Sequence, residues 1–171
     1  MKSCKILQLE FSKCFSLQLD REIYVSFKML NNWCIVWLDA NAFEQNNSFR
    51  AELPDQTAVF NDVNKCIRYI ESEKIQNIFV IVSGSFVKEL IPTIYPFDHV
   101  LQIYIFCGFM GALTDWAIDF IDKLSMFDHG DDLLERLWMD LSSKLDQQAA
   151  FYHRQADEMK QRSLKYKQKC G

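Results

Sequence analysis

Apolar residues along this chain follow two rhythms. Three short runs, Cys34–Leu38 (CIVWL), Ile78–Val82 (IFVIV) and Leu101–Phe106 (LQIYIF), end in small or polar residues and are separated by stretches with helical spacing. Runs that are apolar nearly throughout suit parallel strands buried on both faces and joined by helical crossovers. After the first run, Asp39-Ala40-Asn41 opens a polar stretch, and Pro54 limits any helix before it to one or two turns. Thr57–Phe60 predicts a short strand. Asn61-Asp62 then marks a helix start, with Val63, Cys66, Ile67 and Ile70 on one face and an end near Glu73. Beyond Ile78–Val82, a Ser83-Gly84-Ser85 turn leads to a helix carrying Phe86, Val87, Leu90 and Ile91, its end bracketed by Pro92 and Pro96. A further helix with Leu113, Trp116, Ala117, Phe120 and Ile121 precedes a last strand at Leu124–Phe127. The alternation predicts an α/β domain: a flavodoxin-like, doubly wound, mainly parallel sheet of about five strands with helices on both faces.

The second rhythm begins at Asp131. Leu134, Trp138, Leu141, Leu145, Ala149, Tyr152, Ala156 and Met159 recur at steps of three and four, uninterrupted by Gly or Pro as far as Lys169. This predicts one long C-terminal helix. At ~1.5 Å per residue it runs well past the domain that precedes it. Its first turns are expected to cover the sheet as far as Leu145, and its remainder to act as a linker or coiled-coil seam. Residues 1–30 read differently: Leu7, Leu9 and Phe11, then Phe15, Leu17 and Leu19, then Ile23, Val25 and Phe27 alternate with polar residues, a strand-like or flexible leader. The expected division is thus 1–30, 31–130 and 131–171.

Composition narrows the function classes. Of 171 residues, 49% are hydrophobic and 14% aromatic, enough for a true core. A net charge of −4 argues against whole-chain attraction to nucleic acid or anionic membrane. The six cysteines are scattered without a C-x-x-C pair, which favours small buried thiols in a reduced compartment over a disulfide or zinc framework. Neither a secretory signal nor a transmembrane window is evident, and a cytoplasmic protein is expected.

Open α/β sheets bind ligands outside the carboxyl ends of their strands. The groups there are Asp39 and Asn41, Ser83, Gly84 and Ser85, Cys107 and Gly108, and Asp128 and His129. No glycine follows the first strand and no P-loop is present, so dinucleotide and P-loop phosphate sites are excluded. A receiver domain, by comparison, places carboxylates for Mg²⁺ after its first strand, the acceptor Asp after its third, a Ser or Thr after its fourth and a Lys after its fifth, where metal and cation neutralise the transferred phosphoryl group. Asp39 meets the first requirement, whereas Ser83 and Asp128 stand where the acceptor and the Lys belong. The Ser83–Ser85 turn suits anion binding, or more simply an N-cap made by either serine. No serine nucleophile is supported, because none of His99, His129 and His153 has an activating context. Glu89 and the Glu71-Ser72-Glu73 triplet read as solvated surface charge. Neither a metal nor a cofactor is expected.

Val36-Trp37-Leu38-Asp39-Ala40-Asn41, Phe60-Asn61-Asp62-Val63-Asn64-Lys65-Cys66, Ile81-Val82-Ser83-Gly84 and Gln102-Ile103-Tyr104-Ile105-Phe106-Cys107 together resemble a receiver-like leading domain of some invertebrate multidomain proteins. There it precedes ADP-ribosyltransferase or tetratricopeptide-repeat modules. The resemblance covers roughly residues 33 to 128 and departs in the unmatched leader and in the missing partner modules. It implies a sensing or docking module without its effector.

Two functions are therefore expected in order. The first is a non-catalytic, pseudo-receiver-like interaction or regulatory module acting through its C-terminal helix, with Leu134, Trp138, Leu141, Leu145 and Tyr152 facing a protein partner or a second copy. The second is a small nucleotide- or anion-binding enzyme using Asp39, Asn41 and Ser83–Ser85. A contact of the basic tail, Arg154 to Lys169, with acidic partners is a minor third.

Overall fold

The computed structural model describes residues 33–44, 47–55, 57–72 and 77–169, so the expected leader lies outside the described residues. Five strands, β1 (Trp33–Leu38), β2 (Ala58–Phe60), β3 (Asn77–Ser83), β4 (Val100–Phe106) and β5 (Leu124–Phe127), form one all-parallel sheet in the order β2-β1-β3-β4-β5. This is the doubly wound, flavodoxin-like arrangement. The edge strands β2 and β5 are the shortest, which limits the open edge each presents.

Because side chains alternate along a strand, the apolar runs feed two cores at once. Cys34, Val36 and Leu38 of β1, Val80 and Val82 of β3, and Ile103 and Ile105 of β4 face the helices α2 (Val63–Ser72) and α3 (Val87–Ile94). Ile35, Trp37, Phe79, Ile81 and Tyr104 face the other way. They are covered by the short helix α1 (Ser48–Ala51) and by the root of α5 (Gly130–Lys169), which brings Leu133, Leu134, Leu137 and Leu141 onto the sheet. Two buried faces leave no position for a polar alternation, which is why these strands read as unbroken apolar runs.

A clamp fixes the root of α5. The buried Tyr104 donates its Oη–H to Asp140 Oδ2 at 2.9 Å, and Arg136 Nε donates to the same oxygen at 2.9 Å. Burial first, and then the Asp140 charge, raise the Tyr104 phenol above its ordinary pKa and keep it a donor.

The end of α3 falls at Ile94, between Pro92 and Pro96 as the sequence brackets it, with Pro92 in the last turn. Pro92 has no N–H to offer the Lys88 carbonyl, and both residues are exposed. The single helix expected around Leu113–Ile121 is instead a 3₁₀ turn at Met110–Ala112, a four-residue helix α4 (Thr114–Ala117) and a 3₁₀ stretch at Ile118–Lys123. Thr114 Oγ1 bonds back to the Met110 carbonyl, a local bond that competes with regular helix. Tighter winding shifts the phase: Trp116 and Phe120 pack on the core while Ile118 and Ile121 turn to solvent.

Candidate functional site

From β1 the chain crosses to β2 on one side, and from β3 it crosses to β4 on the other. The switch point therefore lies between the carboxyl ends of β1 and β3, where Leu38 pairs with Val82. The topology thus brings Asp39–Asn41 and Ser83–Ser85 to one edge. Their polar groups are largely turned inward on their own loops. Asp39 Oδ1 accepts the Asn41 N–H at 2.7 Å, closing an Asx turn, while the Asp39 N–H extends the sheet to the Phe60 carbonyl. The Asn41 carbonyl accepts from Asn47 Nδ2, and Asn47 Oδ1 in turn caps α1 through the Arg50 N–H.

The Ser83 and Ser85 hydroxyls lie 3.1 Å apart, bonded to each other. Neither caps α3, contrary to the N-cap expected of them. The helix is preceded by Phe86, whose backbone is already right-handed and which makes no side-chain cap bond. That residue carries the first helical turn beyond the serines.

Between them, Gly84 permits a close approach. A Cβ on Gly84 would come to 2.8 Å from Cys107 Cβ, while its N–H bonds to the Phe106 carbonyl at 2.9 Å. The ends of β3 and β4 are drawn together, leaving no gap for a ligand between them. The half-buried Cys107 thiol is raised above its ordinary pKa by burial, outweighing a backbone hydrogen bond at Phe109, and is a poor nucleophile in that state.

Sequence reasoning missed Phe49. Its ring lies 5.5 Å from Trp37 and stacks on Phe106 at 6.0 Å, 11° from parallel; a Cβ on Gly130 would come to 3.3 Å from it. An aromatic from α1 thus roofs the α5 side of the carboxyl edge. The signal was an isolated Phe in a polar crossover, which carries no periodicity.

Among the described residues no lysine stands directly after β5, where receiver chemistry would need one. Asp128 and His129 follow β5, and the nearest lysine in sequence, Lys123, precedes it. Lys123 Nζ donates to the Tyr95 and Phe97 carbonyls, each at 3.0 Å, and lies over the Tyr95 ring, closing the end of α3 at the opposite edge of the sheet. Glu89 and Glu71 are exposed on helices; Glu73 lies outside the described residues. Among the described residues no cluster of His, Cys, Asp and Glu could hold a metal, and no helix is long and apolar enough to cross a membrane.

The helix residues divide. Leu134 and Leu141 are buried in the core, whereas Trp138, Leu145 and Tyr152 are 40%, 41% and 39% exposed. Past Leu141 no described residue of α5 is buried, and ~40 Å of helix continues beyond it. Compared with protein-family models, curated proteins and solved structures, the chain matches none.

Proposed function

We propose that this chain is a non-catalytic, pseudo-receiver-like interaction module that contacts its partners through α5. One observation carries the reading: large apolar residues at one-heptad spacing, Trp138, Leu145 and Tyr152, stand exposed on a helix that outruns its own domain. Exposed apolar surface in a continuous strip marks an interaction site. The strand-end groups support it from the other side, since Asp39 and the two serines are engaged within their loops and Phe49 fills the space above.

A competing reading, a small nucleotide- or anion-binding enzyme at Asp39, Asn41 and Ser83–Ser85, rests on the topology alone. Thermal unfolding with and without Mg²⁺, nucleotides and acetyl phosphate separates the two. A ligand at a hundred times its Kd adds about 2.7 kcal/mol to stability, a shift of several degrees. The module reading expects no shift and no phosphorylated product by intact-mass spectrometry. Stabilisation by Mg²⁺ with a phosphorylated species would overturn it.

A further inference from the structure

The exposed apolar residues of α5 are ordered beyond what docking to an arbitrary partner needs. Trp138, Leu145, Tyr152, Met159 and Tyr166 recur at every seventh position, and all are exposed. Four residues after each of the first four stand Ser142, Ala149, Ala156 and Ser163. Steps of four and three define a 3.5-residue repeat, the repeat of a left-handed helix pair. One seam position is always large and the other always small.

That alternation sets orientation. In a parallel pair each layer would hold two large or two small side chains. In an antiparallel pair whose two-fold axis passes between residues 150 and 151, each large residue meets a small one. Trp138 lies opposite Ser163, Leu145 opposite Ala156, Tyr152 opposite Ala149, and Met159 opposite Ser142. Phe151 packs edge-on against Tyr152, with ring centroids 5.6 Å apart, and widens the apolar strip at its midpoint.

Charge gives the same answer independently. Residues 130–148 hold five carboxylates and two cations, whereas residues 149–169 hold six cations and two carboxylates. Antiparallel pairing lays the acidic half of one helix along the basic half of the other; parallel pairing would set like against like. Both features are self-complementary, as a two-fold contact between identical chains requires.

We infer that the occupant of the exposed face of α5 is a second copy of this chain, bound antiparallel along the Trp138–Tyr166 seam. The inference rests on the interaction-module reading and specifies its partner. The resulting dimer holds its two α/β domains at opposite ends of a shared helix pair.

The test uses the full chain. Light scattering is expected to give twice the 20.2 kDa chain mass. Zero-length carboxyl-to-amine cross-linking followed by mass spectrometry is expected to join Lys160 of one chain to Asp146 of the other, in both directions. Within one helix Lys160 and Asp146 lie ~21 Å apart, out of reach of such a bond, so each link must cross between chains. Leu145→Glu, at a half-exposed position outside the core, is expected to halve the mass while leaving the circular dichroism unchanged. A monomer at every concentration overturns the inference, as does a dimer without those links or one untouched by Leu145→Glu. The ligand and phosphorylation measurements fail separately: a monomer that takes no ligand defeats self-pairing and leaves the module reading standing.

Discussion

The two parts of α5 share a helix, a residue vocabulary and a periodicity, yet their apolar side chains meet different surroundings. Up to Leu141 the stripe Leu133, Leu134, Leu137 and Leu141 is sealed against the sheet, closest to β4 and β5. After it, residues of the same kind stand in solvent. Leu137 is 0% exposed, and its neighbour Trp138 is 40% exposed. The core stripe and the exposed stripe are offset by about one residue around the helix. Helical periodicity therefore reports that a face is apolar, and only the neighbouring elements decide whether the domain itself covers it.

Substitutions can break that comparison. Leu137→Ala should cost the most, about 2–5 kcal/mol, since it empties a fully buried site. Leu164→Ala, the same change at a 51% exposed position off the seam, should stay within about 0.5 kcal/mol. Urea unfolding of both would erase the distinction if the two costs came out equal.

Next in size is Gly84→Ala. Its new methyl collides with Cys107 Cβ, so a loss of about 1–3 kcal/mol is expected in the same assay. A neutral result would mean that the ends of β3 and β4 can part.

Alkaline pH should separate the domain from the projecting helix more gradually. Burial pushes the Cys66 thiol from 9.0 up to about 12 and raises the Tyr104 phenol as well. Both groups stay protonated in the folded chain after the unfolded chain has begun to ionise. Stability is therefore full below pH 9 and is lost as pH rises toward 12, at up to ~1.4 kcal/mol per pH unit for each group. Unfolding midpoints across that range should fall, and Cys66→Ala should flatten part of the slope.

The smallest effect belongs to the distal half. Lys160 and Asp157 form a 3.0 Å ion pair, each side chain 72% exposed, and Lys160→Ala should change the unfolding midpoint by an amount within error.

The strands were legible in the sequence because burial on both faces leaves a continuous apolar run, and their boundaries moved by only a residue or so. Features set by local turn chemistry or by contacts distant in sequence were not. The 110–123 segment breaks its helix through a local Thr114 bond, and Phe49 finds its site only once β1, β4 and Gly130 have been assembled around it. For the strand-end site, topology fixed which loops meet. That Asp39 closes on Asn41 and that Ser83 bonds Ser85 are details of turn geometry which residue types leave open. On α5 the two stripes merge when read linearly, so Leu134 and Leu141 fall in one pattern with Trp138, Leu145 and Tyr152 although only the first two are buried.

The clamp of Tyr104 and Arg136 on Asp140 makes the rest of α5 a cantilever anchored on β4. From Asp140 to Lys169 the lever arm is ~43 Å, so a tilt of about 5° at the anchor sweeps its tip through about 4 Å. An adjustment of the sheet too small to alter its hydrogen bonding is thereby magnified to the width of a side chain at the far end.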